Sequence, residues 1–299
     1  MKKGIPDLDG KVAVVTGAAN GIGRSLAILL KQKGCHLALI DIDRRSLDKL
    51  ALDLEAHRPS RKISTHVVDV TEPSQMKRLA DEVIGIHGHV HVLFNNAGIA
   101  YEGPFTQTSL DTWQHLMGVN LWGTVYGCLY FMPHLAKVER AHIVNLSSLF
   151  GLVGMAGQTA YSTSKFAITG FSDALREELR ITSIGLSVIH PGAVDTNIMK
   201  NADSDDPQLM ERLSAWYEQN ALAPEKAAVK IIAAVESGKP RVRITREVFF
   251  ADYLKRLLPV SGNKFICDLI IKILKVEDMR EKRITQWRRT MIEDHHEKG

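Results

Sequence analysis

The sequence predicts a doubly wound α/β fold: a mostly parallel, seven-stranded sheet covered by helices on both faces, then a helical C-terminal extension. Three observations carry this expectation. Short runs rich in Val, Ile and Leu alternate with longer segments of helical period as far as residue 245. The runs are near-continuously apolar, which suits strands buried on both faces. The chain is 299 residues long, 45% apolar and 24% charged, which is a globular composition with length enough for a sizeable core.

In order, the strands are expected at Val12–Thr16, Leu37–Ile40, His66–Val70, Val92–Phe94, Ile143–Leu146, Leu186–Ile189 and Val242–Thr245. Helical patterns fill the intervals at roughly 22–33, 45–57, 74–86, 110–137, 161–182 and 224–236. Pro224 suits the start of the last of these, because its missing N–H would be unpaired there in any case. After Thr245 the alternation stops. Residues 246–299 read as helical, with a break at Pro259-Val260-Ser261-Gly262-Asn263.

Several function classes drop out. No uninterrupted apolar run reaches the ~18 residues of a membrane span, and mean hydropathy is −0.07. Met1-Lys2-Lys3-Gly4 leads into no apolar h-region, so no signal peptide is expected and the location expected is cytoplasmic. Cys35, Cys128 and Cys267 are too far apart for metal spacing and read as free thiols in a reducing compartment; no metal is expected. Aromatic residues are 6%, too few for a nucleic-acid stacking platform. The net charge is +4, and residues 239–299, with 15 Lys and Arg against 9 Asp and Glu, hold +6 of it, leaving −2 for residues 1–238.

The first strand runs into Thr16-Gly17-Ala18-Ala19-Asn20-Gly21-Ile22-Gly23. Glycines at a strand-to-helix turn allow a tight bend and let a pyrophosphate approach unpaired N–H groups at the helix N-terminus. On its own the triplet is also compatible with an ordinary turn. The second strand ends in Asp41, 18 residues past Gly23. A carboxylate there accepts from ribose hydroxyls and repels a 2′-phosphate, which favours NAD over NADP. Arg44 and Arg45 lie close by and are the alternative, as a phosphate site.

A second group of residues points to proton chemistry. Tyr161 and Lys165 stand at i and i+4 of a predicted helix and share a face. A nearby ammonium favours the phenolate, making tyrosine a usable proton donor and acceptor near neutral pH. Ser148 lies 13 residues before Tyr161, after a predicted strand, at the edge where open α/β sheets bind ligands.

In these residues the chain resembles the short-chain dehydrogenase/reductase family, in the branch with the Thr-Gly-x-x-x-Gly-x-Gly turn. The resemblance covers about residues 8–245. It rests on the glycine turn, Asp69, Asn95-Asn96-Ala97-Gly98, Asn120, Ser148, Tyr161 with Lys165, and Pro191-Gly192, in the family's order and spacing. It implies a Rossmann-fold catalytic and dinucleotide-binding domain over 1–245, and hydride transfer between a nicotinamide cofactor and an alcohol, ketone or aldehyde. Tyr161 is then the general acid/base and Ser148, rather than Ser147, orients the substrate oxygen. Lys165 lowers the pKa of Tyr161 and binds the nicotinamide ribose, and Asn120 holds a water in a relay through Lys165. For the cofactor the resemblance implies Gly17, Asn20, Gly21, Ile22 and Gly23 at the pyrophosphate. Asp69 and Val70 meet the adenine, Asn96 and Gly98 line the adenosine side, and Pro191, Val194 and Thr196 hold the carboxamide. It also implies a homodimer or homotetramer joined through the helices at 110–137 and 161–182. One departure is His91, where the family often has an acidic residue before the fourth strand.

Leu149–Gln158 and a later segment with Met199, Leu209, Met210, Leu213, Trp216 and Tyr217 would line the pocket, which suggests an apolar substrate. A non-catalytic dinucleotide sensor or lipid binder on the same fold is the alternative, and a sugar-nucleotide epimerase would need a different glycine spacing. In the extension, Phe265, Leu269 and Ile273 recur at i, i+4 and i+8, with Ile266, Ile270 and Leu274 beside them and lysines on the borders. Such a stripe packs on the core or a partner subunit, or else lies on an anionic membrane surface.

Overall fold

The computed structural model describes residues 3–55, 60–196, 198, 203–204, 206–274 and 285. Seven parallel strands form one sheet: β1 (Val12–Thr16), β2 (His36–Asp41), β3 (Ile63–Val67), β4 (Val92–Asn95), β6 (Ala141–Leu146), β7 (Ile184–His190) and β9 (Arg241–Arg243). Their order is β3-β2-β1-β4-β6-β7-β9. The short strands β5 (Tyr101–Glu102) and β8 (Asp203–Ser204) pair separately.

The period of two within each strand divides the core. Ala13 and Val15 face α1 (Gly21–Gln32), α2 (Arg44–Glu55) and α8 (Pro224–Ser237), whereas Val12 and Val14 face the other layer. That layer contains α3 (Pro73–His87), α5 (Gly123–Leu135) and α6 (Thr159–Glu178). The winding reverses between β1 and β4, which puts a crevice beyond the carboxyl ends of those strands.

Two expectations are corrected, and one element was not expected. The third strand is Ile63–Val67, not His66–Val70. It is the edge strand, where one flank faces solvent and an apolar run is not needed. Its end is set by pairing of Val67 with Asp41, and Asp69 then bends the chain by accepting from Thr71 N at 2.9 Å and Thr71 Oγ1 at 2.8 Å. The helix expected over 110–137 is α4 (Leu110–Met117), a π-helical turn (Gly118–Trp122) and α5. The β5–β8 ribbon has no signal in the sequence, since two-residue strands carry no periodicity.

Among its described residues the extension forms α9 (Arg246–Leu257) and α10 (Ser261–Leu274), broken close to the expected place. Asp252 is buried and fixes α9 to the sheet through Arg243 of β9, with Nε at 2.6 Å, and Arg256, with Nε at 2.8 Å. Val248, Ala251 and Ile266 pack on Leu149, Leu152 and Val153. No helix among the described residues is long and apolar enough to cross a membrane.

Candidate active site

The turn after β1 is built by close approach. Gly17 and Gly21 have φ of 65° and 53°, the left-handed region that glycine tolerates. A Cβ at Gly23 would overlap Gly17 O, so α1 could not start so near the strand. Thr16, which the sequence reading did not single out, ties the turn to β4: Asn96 N and Ala97 N each donate to Thr16 Oγ1 at 3.0 Å. Asn96 Nδ2 donates to Thr16 O at 2.9 Å and Gly17 O at 3.1 Å. Asn96 therefore shapes the turn as well as bordering the crevice. Asp41 Oδ2 accepts from Ala19 N at 2.9 Å and Oδ1 from Asp43 N at 3.1 Å, which aims the carboxylate across the crevice mouth.

One cavity of about 1250 Å³ runs from this turn to the C-terminal helices. It is lined at one end by Gly17, Asn20, Gly21, Ile22, Asp41, Asp69 and Val70, then by Asn96, Gly98, Ser148, Tyr161 and Lys165, with Pro191, Val194 and Thr196 alongside. Of the singled-out residues, Gly23 and Asn120 lie behind this lining, not on it.

The Ser148 side chain stands close enough to Tyr161 to draw its pKa down against the effect of burial, and the Phe150 ring meets the Tyr161 ring edge-on at 6.3 Å. Ser148 Oγ also accepts from Phe150 N at 3.2 Å. The neighbouring Ser147 donates to Lys165 O at 2.9 Å, so its hydroxyl braces α6. Behind Ser148 lies His190, the residue before Pro191. His190 Nδ1–H donates to Ser148 O at 3.0 Å, fixing the loop backbone, and burial drives its pKa down to about 4. Sequence reasoning missed His190; its only signal was its place at a strand end before Pro-Gly.

Lys165 is buried, and its Nζ donates to Leu146 O at 3.2 Å. Burial lowers its pKa to about 8. Nζ lies 5.7 Å from the Tyr161 ring centroid. The expected lowering of the Tyr161 pKa by Lys165 is not what the structure shows: burial raises the phenol, and it is the Ser148 hydroxyl that opposes the rise. Asn120 is wholly buried in the π-helical turn. Its Oδ1 accepts from Ile99 N at 2.9 Å, and its Nδ2 donates to Ile99 O at 3.0 Å and Ser164 Oγ at 2.9 Å. It thus joins three elements around Lys165. A Cβ at Gly98 would stand 3.1 Å from Asn120 Oδ1 and 3.2 Å from Lys165 Nζ, so glycine leaves room for both groups.

His91, the departure noted in the sequence, accepts from Val12 N through Nδ1 at 3.1 Å and joins the starts of β1 and β4. Leu209 and Leu213 of α7 (Pro207–Asn220) are buried against Ile271, with Met155 and Met210 packed beside them. Met199 lies outside the described residues, as do the basic residues after Leu274.

The short chain dehydrogenase family model matches residues 11–207. The protein designated SadH, of Mycobacterium tuberculosis, is 35% identical over 268 residues, covering 88% of this chain and 96% of its own. Dehydrogenase/reductase SDR family member 7B of Bos taurus is 32% identical over 253 residues, covering 83% of this chain and 78% of its own. A short-chain dehydrogenase/reductase from Burkholderia phymatum, solved in complex with NAD, superposes with a TM-score of 0.79 at 28% identity, covering 84% of this chain and 94% of that one.

Proposed function

The chain belongs to the short-chain dehydrogenase family of oxidoreductases, and from that premise we propose that it interconverts an apolar alcohol and its ketone or aldehyde with NAD, using Tyr161 as the acid/base group. The observation that carries the reading is the neighbouring Ser148 and Tyr161 side chains, which line one cavity together with Lys165, the glycine turn and Asp41. The chain's residues fit a nicotinamide dinucleotide: the glycine turn admits a pyrophosphate, and Gly98 leaves room beside Lys165 that a Cβ would fill. When bound, the nicotinamide supplies or removes the hydride.

The remaining chemistry belongs to side chains. In the reducing direction Tyr161 gives its proton to the carbonyl oxygen as that oxygen gains negative charge. Ser148 Oγ donates to the same oxygen and orients it. Burial keeps the phenol protonated at neutral pH, which suits the reducing direction. Lys165 Nζ, with one acceptor among the described residues at Leu146 O, has N–H groups left for ribose hydroxyls. Asn120 acts as a positioning residue for Lys165 and α6, and the π-helical turn around it is the kind of irregularity that recurs at functional sites.

NAD is favoured over NADP because the adenosine end of the cavity is lined by Asp41, Asp43 and Asp69, whereas Arg44 and Arg45 are exposed at the start of α2 and outside the lining. Gly17, Asn20–Gly23, Asn96 and Gly98 would hold the dinucleotide, with Pro191, Val194 and Thr196 at its carboxamide. We read residues 1–245 as the catalytic and dinucleotide-binding domain, with 246–299 as its extension. Homo-oligomerisation is supported by the exposed Trp122 and Leu129 on the segment that also carries the Trp122–Tyr126–Tyr130 ring ladder.

A panel of apolar ketones, aldehydes and alcohols, followed by NADH absorbance, tests the reading. Turnover with at least one pair is expected. Tight NADH binding with no turnover of any substrate would favour a dinucleotide sensor.

A further inference from the structure

Beyond Ser148 and Tyr161 the cavity is walled by the extension. Ile266, Ile270 and Leu274 of α10 stand at i, i+4 and i+8 and line it, as do Leu209, Leu213 and Trp216 of α7. At 1.5 Å per residue the α10 row spans roughly 12 Å. Phe250, Leu269 and Ile273 also line the cavity yet are 50%, 37% and 50% exposed, so they form an apolar mouth where the channel reaches solvent.

The wall is fixed in place. Asn263 clamps the loop between Ser148 and Tyr161 by accepting from Gly154 N at 3.0 Å and donating to Gly154 O at 3.0 Å. Cys267 Sγ donates to the same carbonyl at 3.1 Å. The buried Asp252, paired with Arg243 and Arg256, holds α9 beneath it. A helix anchored to the loop that follows Ser148 has a set distance from the reacting oxygen.

We propose that α10 and α7 form a channel for an unbranched alkyl chain, so that the substrate is a medium- to long-chain aliphatic ketone, aldehyde or alcohol. This rests on the functional reading above and names its substrate class. The oxygen sits at Ser148 and Tyr161, and the chain runs along the α10 row toward the Phe250–Ile273 mouth. A compact polar substrate would leave this apolar length unfilled. A cavity of about 1250 Å³ exceeds the ~300–1,000 Å³ of ordinary ligand pockets, consistent with a dinucleotide and a chain together.

The test is a 2-alkanone series from 2-butanone to 2-dodecanone with saturating NADH. Each methylene buried in the channel contributes ~0.8 kcal/mol, so kcat/KM should rise roughly fourfold per carbon until the chain reaches the mouth, then level off. The Ile270→Trp variant, which fills the channel midway, should lower the ratio of 2-decanone to 2-butanone efficiency at least tenfold. Leu257→Ser, on the exposed side of α9 and outside the lining, should leave that ratio unaltered. Turnover that is flat or falls with chain length overturns the channel and leaves the oxidoreductase reading standing. A thermal-shift series with the matching 2-alkanols, read without any turnover, is the second arm. A Tm increase that grows with chain length supports the channel even if the reaction chosen is wrong. No increase at any length overturns it, even for a chain that oxidises NADH with short ketones.

Discussion

Replacing Asp41 by Asn isolates the charge proposed to set cofactor choice. Asp41 Oδ2 accepts from Ala19 N at 2.9 Å, so alanine would also loosen the glycine turn, whereas asparagine keeps an acceptor there. A hydrogen bond to an ionised group contributes ~1.5–3 kcal/mol against ~0.5–1.5 for a neutral one. The variant should therefore bind NADH about 1–2 kcal/mol more weakly, roughly 5- to 30-fold in Kd. For NADPH the sign reverses. Two unit charges at 4 Å repel by ~4 kcal/mol at an effective dielectric of 20, and the half-exposed position and salt reduce this at least twofold. Removing the carboxylate should then strengthen NADPH binding by about 1–2 kcal/mol. The preference should move by roughly 10²-fold toward the phosphorylated cofactor. Fluorescence titration of both nucleotides at one ionic strength, with Tm checked, measures it. A preference changed by less than ~3-fold in a folded variant would refute the ribose argument. Loss of NADPH binding in Arg44→Ala or Arg45→Ala would then identify the phosphate site.

Acid should unfold the protein through buried histidines. His142 and His190 are buried, and burial holds each near a pKa of about 4, against ~6.5 in the unfolded chain. Between those values the unfolded state binds the proton and the folded state does not, so stability is lost as pH falls from ~6.5 to ~4 and is unaffected above. Each histidine contributes up to about 3 kcal/mol of that loss, and urea midpoints across the range should fall less steeply in His190→Asn, whose amide can still donate to Ser148 O. Gly23→Ala puts a methyl into Gly17 O, so it should weaken NADH binding by an order of magnitude or more, with a measurable drop in Tm; unchanged binding would mean that the turn has slack. Lys165→Met should lose both turnover and NADH affinity, and a variant that loses only one of them would separate the two roles given to the lysine.

The sheet and most of the site are legible in the sequence because both rest on local signals. Buried parallel strands such as Val12–Thr16 are apolar throughout, and the turn residues Gly17, Gly21 and Gly23 stand at strand-to-helix junctions. The edge strand slipped by three residues because Ile63-Ser64-Thr65 lacks that apolar signature, its sheet neighbour lying on one side only. Within the site, Ser148, Tyr161 and Lys165 share a spacing that can be read along the chain. The supports contributed by His190, Ser147 and Thr16 cannot, since each acts through a hydrogen bond to distant backbone or to a turn formed only in the fold. The stripe at Phe265, Leu269 and Ile273 illustrates the same limit. Its period marks an amphipathic helix, and the buried contacts of α10 are made by Ile266, read beside the stripe, and by Ile271, which is not, while Leu269 and Ile273 edge the cavity mouth. Period alone does not say which side of a helix meets the protein.

The central claim is that Tyr161 moves the proton and does little to hold the cofactor. Tyr161→Phe keeps the ring that packs on Phe150 and removes only the hydroxyl beside Ser148. Steady-state reduction of a turned-over ketone should fall by ~10²–10⁴-fold or more, while NADH binding by fluorescence titration stays within about threefold of the parent. A purified, folded Tyr161→Phe protein with near-parental turnover would contradict the account.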